Sequence, residues 1–307
     1  MKVIFMGTPD FAACSLQKLI DDGFSVCAVY TQPDKPVGRN HEISEPPVKQ
    51  IALRYSIPVF QPESMRDPKI TQEIEAMHAD IIAVVAYGKL LPLSVIQAAK
   101  YGAVNLHGSL LPKYRGAAPI QWSVLNGDTV TGLTTFYLTE ALDAGDIIFS
   151  EETEIGEFET SGELFSRMMV QGASLLSRTL SSIDDGTAPR VSQDHEKATY
   201  VGKLSKEMAA INWDQTPREV IKWIYGMQPW PVASASIHGE TYKLFSAQYT
   251  DTRTDKLPGK IVSAGKQGLE IACADGKTIM ITELQLAGKK RMAAADFLRG
   301  HPVPVDL

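Results

Sequence analysis

Apolar positions recur along this chain with two periods that alternate from the N-terminus onward. Residues 2–6 form a short apolar run closed by Gly7-Thr8-Pro9-Asp10, after which Phe11, Leu16, Leu19 and Ile20 return at helical spacing. That is a strand, a turn and a helix. Residues 25–31 and 57–60 read as the next strands, and residues 80–86 (Asp-Ile-Ile-Ala-Val-Val-Ala) as a fourth whose unbroken apolar run suits a strand covered on both faces. Helical patterns over 48–55 and 68–77 separate them. After a short helix beyond Pro92, Ala103-Val104 leads a strand that carries Asn105 and His107, and a helix covers 117–125. Strands over 131–138 and 146–151 follow, the second antiparallel to its neighbour. Residues 160–183, with Leu164, Met168, Val170, Ala173, Leu176 and Leu180, give the longest helical pattern and close a first domain. Alternating strands and helices of this length predict an α/β fold: an open, mostly parallel sheet with right-handed crossovers and helices on both faces.

Asp184-Asp185-Gly186-Thr187-Ala188-Pro189 breaks that helix, and the polar stretch 190–206 reads as a linker. A helix over 214–225 is ended by Pro229-Trp230-Pro231. Short alternating runs then appear at 233–238, 243–249, 259–262, 269–272 and 278–286. Short strands at this density predict a small OB-like β-barrel. The expected organisation is therefore a sheet domain (1–189), a linker (190–206) and a barrel domain (207–307). Between the second strand and the next helix, residues 32–47 hold four prolines and one glycine and read as a long loop.

A chain of 307 residues, 44% hydrophobic and 21% charged, has the composition of a soluble globular protein with more than one core. The apolar stretch at the N-terminus is too short for a signal h-region and no run reaches membrane-spanning length, so the expectation is a cytoplasmic monomer with no membrane partner. Cys14, Cys27 and Cys273 are odd in number and lack His neighbours at ligand spacing, which argues against a disulfide framework or a zinc site. Of a net charge of -6, residues 207–307 hold 12 Lys/Arg against 11 Asp/Glu and the remainder 18 against 25. The basic excess lies in the tail, a weak sign of a polyanionic partner there.

Asn105 and His107, two residues apart on a strand, share a face and bring an amide donor beside a titratable ring. Gly108 and the turn residues from Pro112 to Gly116 end the strand at a loop, where parallel sheets keep their chemistry. Asp143-Ala144-Gly145-Asp146 adds a carboxylate at another strand-to-loop boundary. Gly7-Thr8-Pro9 lacks the second and third glycines of a dinucleotide fingerprint, which leaves little room for NAD.

Gly7-Thr8-Pro9-Asp10-Phe11, Thr31-Gln32-Pro33-Asp34-Lys35-Pro36, Val85-Ala86-Tyr87-Gly88, the run from Asn105 to Trp122, Lys203-Leu204-Ser205-Lys206-Glu207 and Gly288-Lys289-Lys290 closely resemble the methionyl-tRNA formyltransferases, nearly end to end. The Asn-x-His-x-Ser-Leu-Leu-Pro core is shared with other folate-dependent formyltransferases, so it speaks for the chemistry and not the acceptor. The resemblance implies a Rossmann-like first domain and transfer of the formyl group of 10-formyltetrahydrofolate to the amine of initiator methionyl-tRNA, without a metal. In that reaction an amine attacks the formyl carbon, charge develops on the formyl oxygen, and the folate nitrogen leaves. Asn105 would be the fixed donor to that oxygen, His107 the base or the acid, and Asp143 the group that orients the ring or relays protons. By the same resemblance the folate lies against Ala86, Tyr87, Gly88, Leu90, Leu138 and Asp146, with Ser109, Leu110, Leu111 and Pro112 lining the cleft. Arg39, Lys203, Lys206, Lys289, Lys290 and Arg291 would meet tRNA phosphates.

The sequence departs from the family pattern at Asn40-His41-Glu42, where a Gly-Lys-Lys run is usual, and at Ala141, Ala144 and Val232. Glu42 and Glu45 weaken the phosphate attraction expected of that loop. The runner-up is a formyltransferase acting on a nucleotide-linked amino sugar; a non-catalytic folate or tRNA binder is the rival from outside enzymes.

Overall fold

In the computed structural model, which describes residues 1–37 and 42–306, the first apolar run folds as β1 (Lys2–Gly7), followed by α1 (Asp10–Asp21) and β2 (Ser25–Tyr30). The chain continues through β3 (Lys35–Val37), β4 (Glu42–Ser44), α2 (Pro47–Arg54), β5 (Val59–Phe60), α3 (Pro68–Ala76), β6 (Ile81–Val85), α4 (Leu93–Ile96) and β7 (Ala103–His107). Next come β8 (Arg115–Gly116), α5 (Pro119–Leu125), β9 (Val130–Tyr137), β10 (Ile147–Glu154) and α6 (Ser161–Asp184). The main sheet has the order β10-β9-β7-β6-β1-β2-β5. β1 pairs in parallel with β2 and β6, β6 with β7, and β2 with β5, while β9 runs antiparallel to β7. Residues 138–146 between β9 and β10 are too few for a parallel crossover, so that pair is a hairpin. Its register shows in Tyr137 donating to the Asp146 carbonyl at 3.0 Å.

β1 and β6 sit mid-sheet and every residue of β6 is buried, as its unbroken apolar run requires. On one face Ile4, Met6, Tyr30, Ile82 and Val84 pack with Ile74 of α3 and Val95 and Ile96 of α4. Against the other face lies α6 beside α1: Phe11 and Phe165 meet edge-to-face at 5.2 Å. A Cβ on Gly172 would stand 2.9 Å from Leu106 Cδ2, so the helix approaches β7 as closely as only glycine allows. The expected mostly parallel α/β sheet with helices on both faces is the observed one. The stretch 32–47 is not loop throughout, because β3 and β4 pair as a small hairpin tied down by Lys49 and Gln61 on the Asp34 carboxylate, both within 2.7 Å. Two three-residue strands with a proline in one are too short to carry a period.

By its internal contacts the chain divides into two units. One comprises Met1–Ala117, Thr131–Thr153 and Phe165–Val201, and the other Ala118–Val130, Glu154–Leu164 and Gly202–Leu307. In the second, after β11 (Tyr200–Val201), α7 (Pro217–Gly226) begins three residues later than the apolar pattern indicates. Thr216 is its cap: the hydroxyl accepts from the Glu219 amide and the Glu219 side chain answers, with Pro217 in the first turn. β12 (Ser234–Ile237), β13 (Glu240–Arg253), β14 (Ile261–Gly265), β15 (Gly268–Ala272), β16 (Lys277–Leu286) and β17 (Met292–Ala293) form an antiparallel sheet, order β12-β13-β16-β15-β14 with β17 on β16. Register shifts along β13 and β16 curl it into a half-barrel. α8 (Ala294–Gly300), which the sequence pattern misses, packs Phe297 edge-to-face on Tyr242. Val232, at φ 71°, places a β-branched residue in the left-handed region at one of the positions that depart from the family pattern. Among the described residues no helix is long and apolar enough to cross a membrane.

One carboxylate of this sheet is buried. Burial raises the pKa of Glu270, but hydroxyl donors from Thr252, Thr278, Ser263 and Thr250 outweigh it and hold the carboxyl below its ordinary 4.5. A folded-state pKa lowered in this way stabilises the sheet above the unfolded value and ceases to do so as pH falls through the folded one. All four tryptophans, Trp122, Trp213, Trp223 and Trp230, lie in the second unit, so their fluorescence reports its unfolding. We expect the urea midpoint followed this way to fall between pH 6 and pH 3 in the wild type and to fall less steeply in Glu270→Gln. Equal slopes would show that Glu270 does not contribute.

Candidate active site

β6 and β7 end side by side, with Val85 opposite Leu106, so the loops leaving at Ala86 and Gly108 start from the same carboxyl edge of the sheet. Val104 and Leu106 point to the α6 side; alternation then turns Asn105 and His107 to the opposite face. Asn105 lies opposite Phe136 of β9 and Val84 of β6. It is half-buried, and its amide forms no hydrogen bond among the described residues.

His107 is buried, with Phe136 edge-on to its ring at 6.4 Å. Its Nε2 stands 2.9 Å from the Tyr114 carbonyl oxygen and its Nδ1 3.8 Å from Oδ2 of Asp143. A carbonyl only accepts, so Nε2 carries a proton there and Nδ1 is the nitrogen whose proton can come and go. Asp143 Oδ2 also accepts from the Gly116 amide at 2.7 Å. The turn that carries it is tight: Asp143 has φ 48°, and a Cβ on Gly145 would lie 1.7 Å from the Tyr137 carbonyl oxygen, so no side chain fits at 145. Ala86 (φ 45°) and Tyr114 (φ 57°) are left-handed as well. Non-glycine residues held in this region gather where a fold positions functional groups.

The loop after His107 is anchored by Thr134. Its hydroxyl donates to the Ser109 carbonyl at 2.7 Å and accepts from the Leu111 amide at 3.1 Å, while Ser109 Oγ donates to the Lys113 carbonyl at 2.6 Å. Ser109 and Leu111 are therefore buried, and Leu110 and Pro112 are the partly open members of the loop. Leu110 packs onto Gly132, where a Cβ would sit 2.5 Å from Leu110 Cδ2. In the 86–90 loop the Tyr87 ring is buried in the core below, and burial pushes its phenol up to about 12. Its carbonyl accepts from Gln32 and Thr8. Ala86, Gly88 and Leu90 are the exposed residues of that loop. Leu138 packs against the core, and the Asp146 carboxylate accepts from Ser192 Oγ at 3.1 Å.

A match to the formyl transferase family model covers residues 1–180, and a match to the model for the formyl transferase C-terminal domain covers 203–302. A methionyl-tRNA formyltransferase of Alkaliphilus oremlandii is 43% identical over 304 residues, 99% of this chain and 97% of that protein. One from Pelotomaculum thermopropionicum is 45% identical over 305 residues, at 99% and 97% coverage. The chain belongs to the methionyl-tRNA formyltransferase family. A solved N-formyltransferase from Helicobacter canadensis, in complex with folinic acid and dTDP-3-aminofucose, has the same fold, with a TM-score of 0.69 at 18% identity over 92% of this chain and 98% of that one.

Asn105 and His107 share one face of β7 near its carboxyl end and Asp143 faces the His107 ring, with the 86–90, 109–112 and 138–146 loops in the same unit. Lys203, Lys206, Lys289 and Lys290 are exposed in the second unit. Arg291 there is already engaged, bidentate on Glu283 at 2.8 and 2.6 Å and stacked over Phe245. Arg39 lies outside the described residues. Sequence reasoning did not single out Gly116 as a donor, Thr134 as an anchor or Tyr114 as the acceptor for His107. Each acts through backbone or at long range, and only the Pro112 to Gly116 turn residues gave any sign of them.

Proposed function

We propose that Asn105, His107 and Asp143 carry formyl transfer from 10-formyltetrahydrofolate to the amino group of methionine on initiator methionyl-tRNA, the product being N-formylmethionyl-tRNA for translation initiation. The observation that carries this reading is the paired arrangement at the sheet edge: an uncommitted amide on Asn105, two residues from a ring held between the Tyr114 carbonyl and the Asp143 carboxylate. The folate supplies the formyl carbon. Asn105 aims an N–H at the formyl oxygen, His107 moves the proton at Nδ1, and Asp143 balances the imidazolium. Backbone groups of Ala86, Tyr87 and Gly88, with Leu90, Leu110, Leu138 and Asp146, hold the folate, and Ser109, Leu111 and Pro112 give the 109–112 loop its shape. These residue types suit a folate, since backbone polar groups, one carboxylate acceptor and apolar side chains surround a ring system that both donates and accepts, and no phosphate cradle is called for.

The proposed division of labour gives the chemistry to residues 1–189, through a linker at 190–206, and tRNA contact to 207–307, in a monomer working in the cytoplasm where aminoacylated tRNA is found. Formylation of charged initiator tRNA, assayed beside a nucleotide-linked amino sugar, tests the acceptor. Transfer to the sugar and not to the tRNA would replace this reading with the runner-up. Phosphate contact has its own signature in salt. Replacing Lys289 and Lys290 with alanine should lower the slope of log affinity for tRNA against log salt by roughly 0.7 to 0.9 per contact. Replacing Arg291 should change it less, since Glu283 neutralises that side chain. An unchanged slope in the double variant rejects the assignment.

A further inference from the structure

Residues 190–201, the front of the stretch that reads as a linker, are bound to the first unit. Val191 bridges Ile147, and β11 pairs in parallel with β8 directly after the 109–114 loop. Between these two attachments Gln193 is buried, and all its polar capacity is used. Its Nε2 donates to the carbonyls of Asp143 at 2.9 Å and Gly145 at 2.8 Å. Its Oε1 accepts from Arg115, Nη2 at 2.7 Å and Nε at 3.3 Å. Arg115 is itself 2% exposed, and among the described residues its side-chain partners are Gln193, His195 Nδ1 and the Tyr200 hydroxyl, none of them acidic.

From this we infer that Gln193 is a positioning residue for catalysis: it clamps the Asp143 turn so that the carboxylate faces His107. The inference rests on the roles proposed above for those two groups. A left-handed backbone at a non-glycine residue persists only where its surroundings fix it, and two N–H donors on the carbonyls at 143 and 145 do so. The amide can be read in one orientation only, because its acceptor side meets a guanidinium that can only donate and its donor side meets carbonyls that can only accept. Arg115 therefore orients Gln193, Gln193 holds the turn, and the turn sets Asp143. The Gly116 amide, which donates to Asp143 Oδ2 and not to the β8/β11 ladder, reports whether the carboxylate is in place.

The decisive variant is Gln193→Glu. It keeps an acceptor for Arg115, now charged, but loses both donors and sets a carboxylate against two carbonyl oxygens. A role limited to partnering Arg115 makes it neutral or stabilising. The clamp makes it harmful to catalysis while the fold holds. We expect kcat to fall at least tenfold with the thermal midpoint preserved, and amide exchange at Gly116, followed by NMR, to quicken at least tenfold. In an Asp143→Asn background the same substitution should cost less than threefold in kcat, because its effect travels through that carboxylate. Unchanged Gly116 exchange, or an equal loss in both backgrounds, overturns the inference. Gln193→Leu, which removes both halves of the clamp, should also quicken Gly116 exchange, and a failure to do so counts against it too. Gly116 exchange needs no turnover, so a wild-type chain without formyl transfer would reject the proposed function and leave the clamp to be judged on that signal.

Discussion

Asn105→Ala should lower the rate of formyl transfer by roughly 100 to 1000-fold, the effect of losing one donor from an oxyanion site. Most polar residues on a buried strand are held by partners, and removing them unfolds the protein as readily as it stops the reaction. Asn105 is different, since its amide binds nothing among the described residues while its backbone is fixed between Val84 and Phe136. Truncation orphans no buried group, so stability should stay within about 0.5 kcal/mol of the wild type. With no partner among the described residues, the Asn105 amide is free to donate to a ligand at the carboxyl end of β7. Asn105→Asp sharpens the case, because the isosteric carboxylate cannot donate and opposes the charge that develops on the oxygen. Single-turnover formylation with saturating folate measures both variants. A rate within threefold of wild type for either would remove Asn105 from the chemistry.

The second large effect is that of His107→Ala, for which we expect kcat to drop roughly 100-fold or more, the range of general acid–base catalysis. The Tyr114 carbonyl fixes the ring by accepting the Nε2–H hydrogen bond, which leaves Nδ1, 3.8 Å from Asp143, as the nitrogen proposed to exchange a proton with the reacting amine. The affinity for tRNA should be unchanged, since the phosphate contacts are proposed for lysines elsewhere. The cost in stability should be that of a buried ring, about 1 to 3 kcal/mol, which circular dichroism and a thermal midpoint can separate from the loss of rate. A rate within threefold of wild type would remove His107 from the chemistry.

The two experiments also separate the groups. Asn105 cannot titrate, so its loss should scale the rate equally across pH. His107 can, so its loss should remove a pH-dependent limb as well as the amplitude. Val232 has no such test: nothing in the structure explains why a β-branched residue stands at φ 71°.

Much of this molecule was written locally. An apolar run buried on both faces has one reading, and residues 81–85 became the fully buried β6. Helical spacing of Leu, Met and Ala over 160–183 became α6, and the Asn-x-His pair was legible because a strand's two-residue period puts both side chains on one face whatever its neighbours are. What the sequence left unsaid concerns isolated polar groups and very short pairings. Gln193 looked like one more polar residue in a linker, yet it meets Arg115 across 78 positions and Asp143 across 50. Arg291 looked like a free cation and is held by Glu283 across a strand pair. The two-residue pair β8 with β11, and the β3–β4 hairpin, are below the length at which any period can show. Periodicity records how much of an element is buried, and burial is repaid by any apolar neighbour, so it can be read without knowing which neighbour that is. A hydrogen bond is satisfied by one partner at one distance and angle, and only the folded chain chooses that partner.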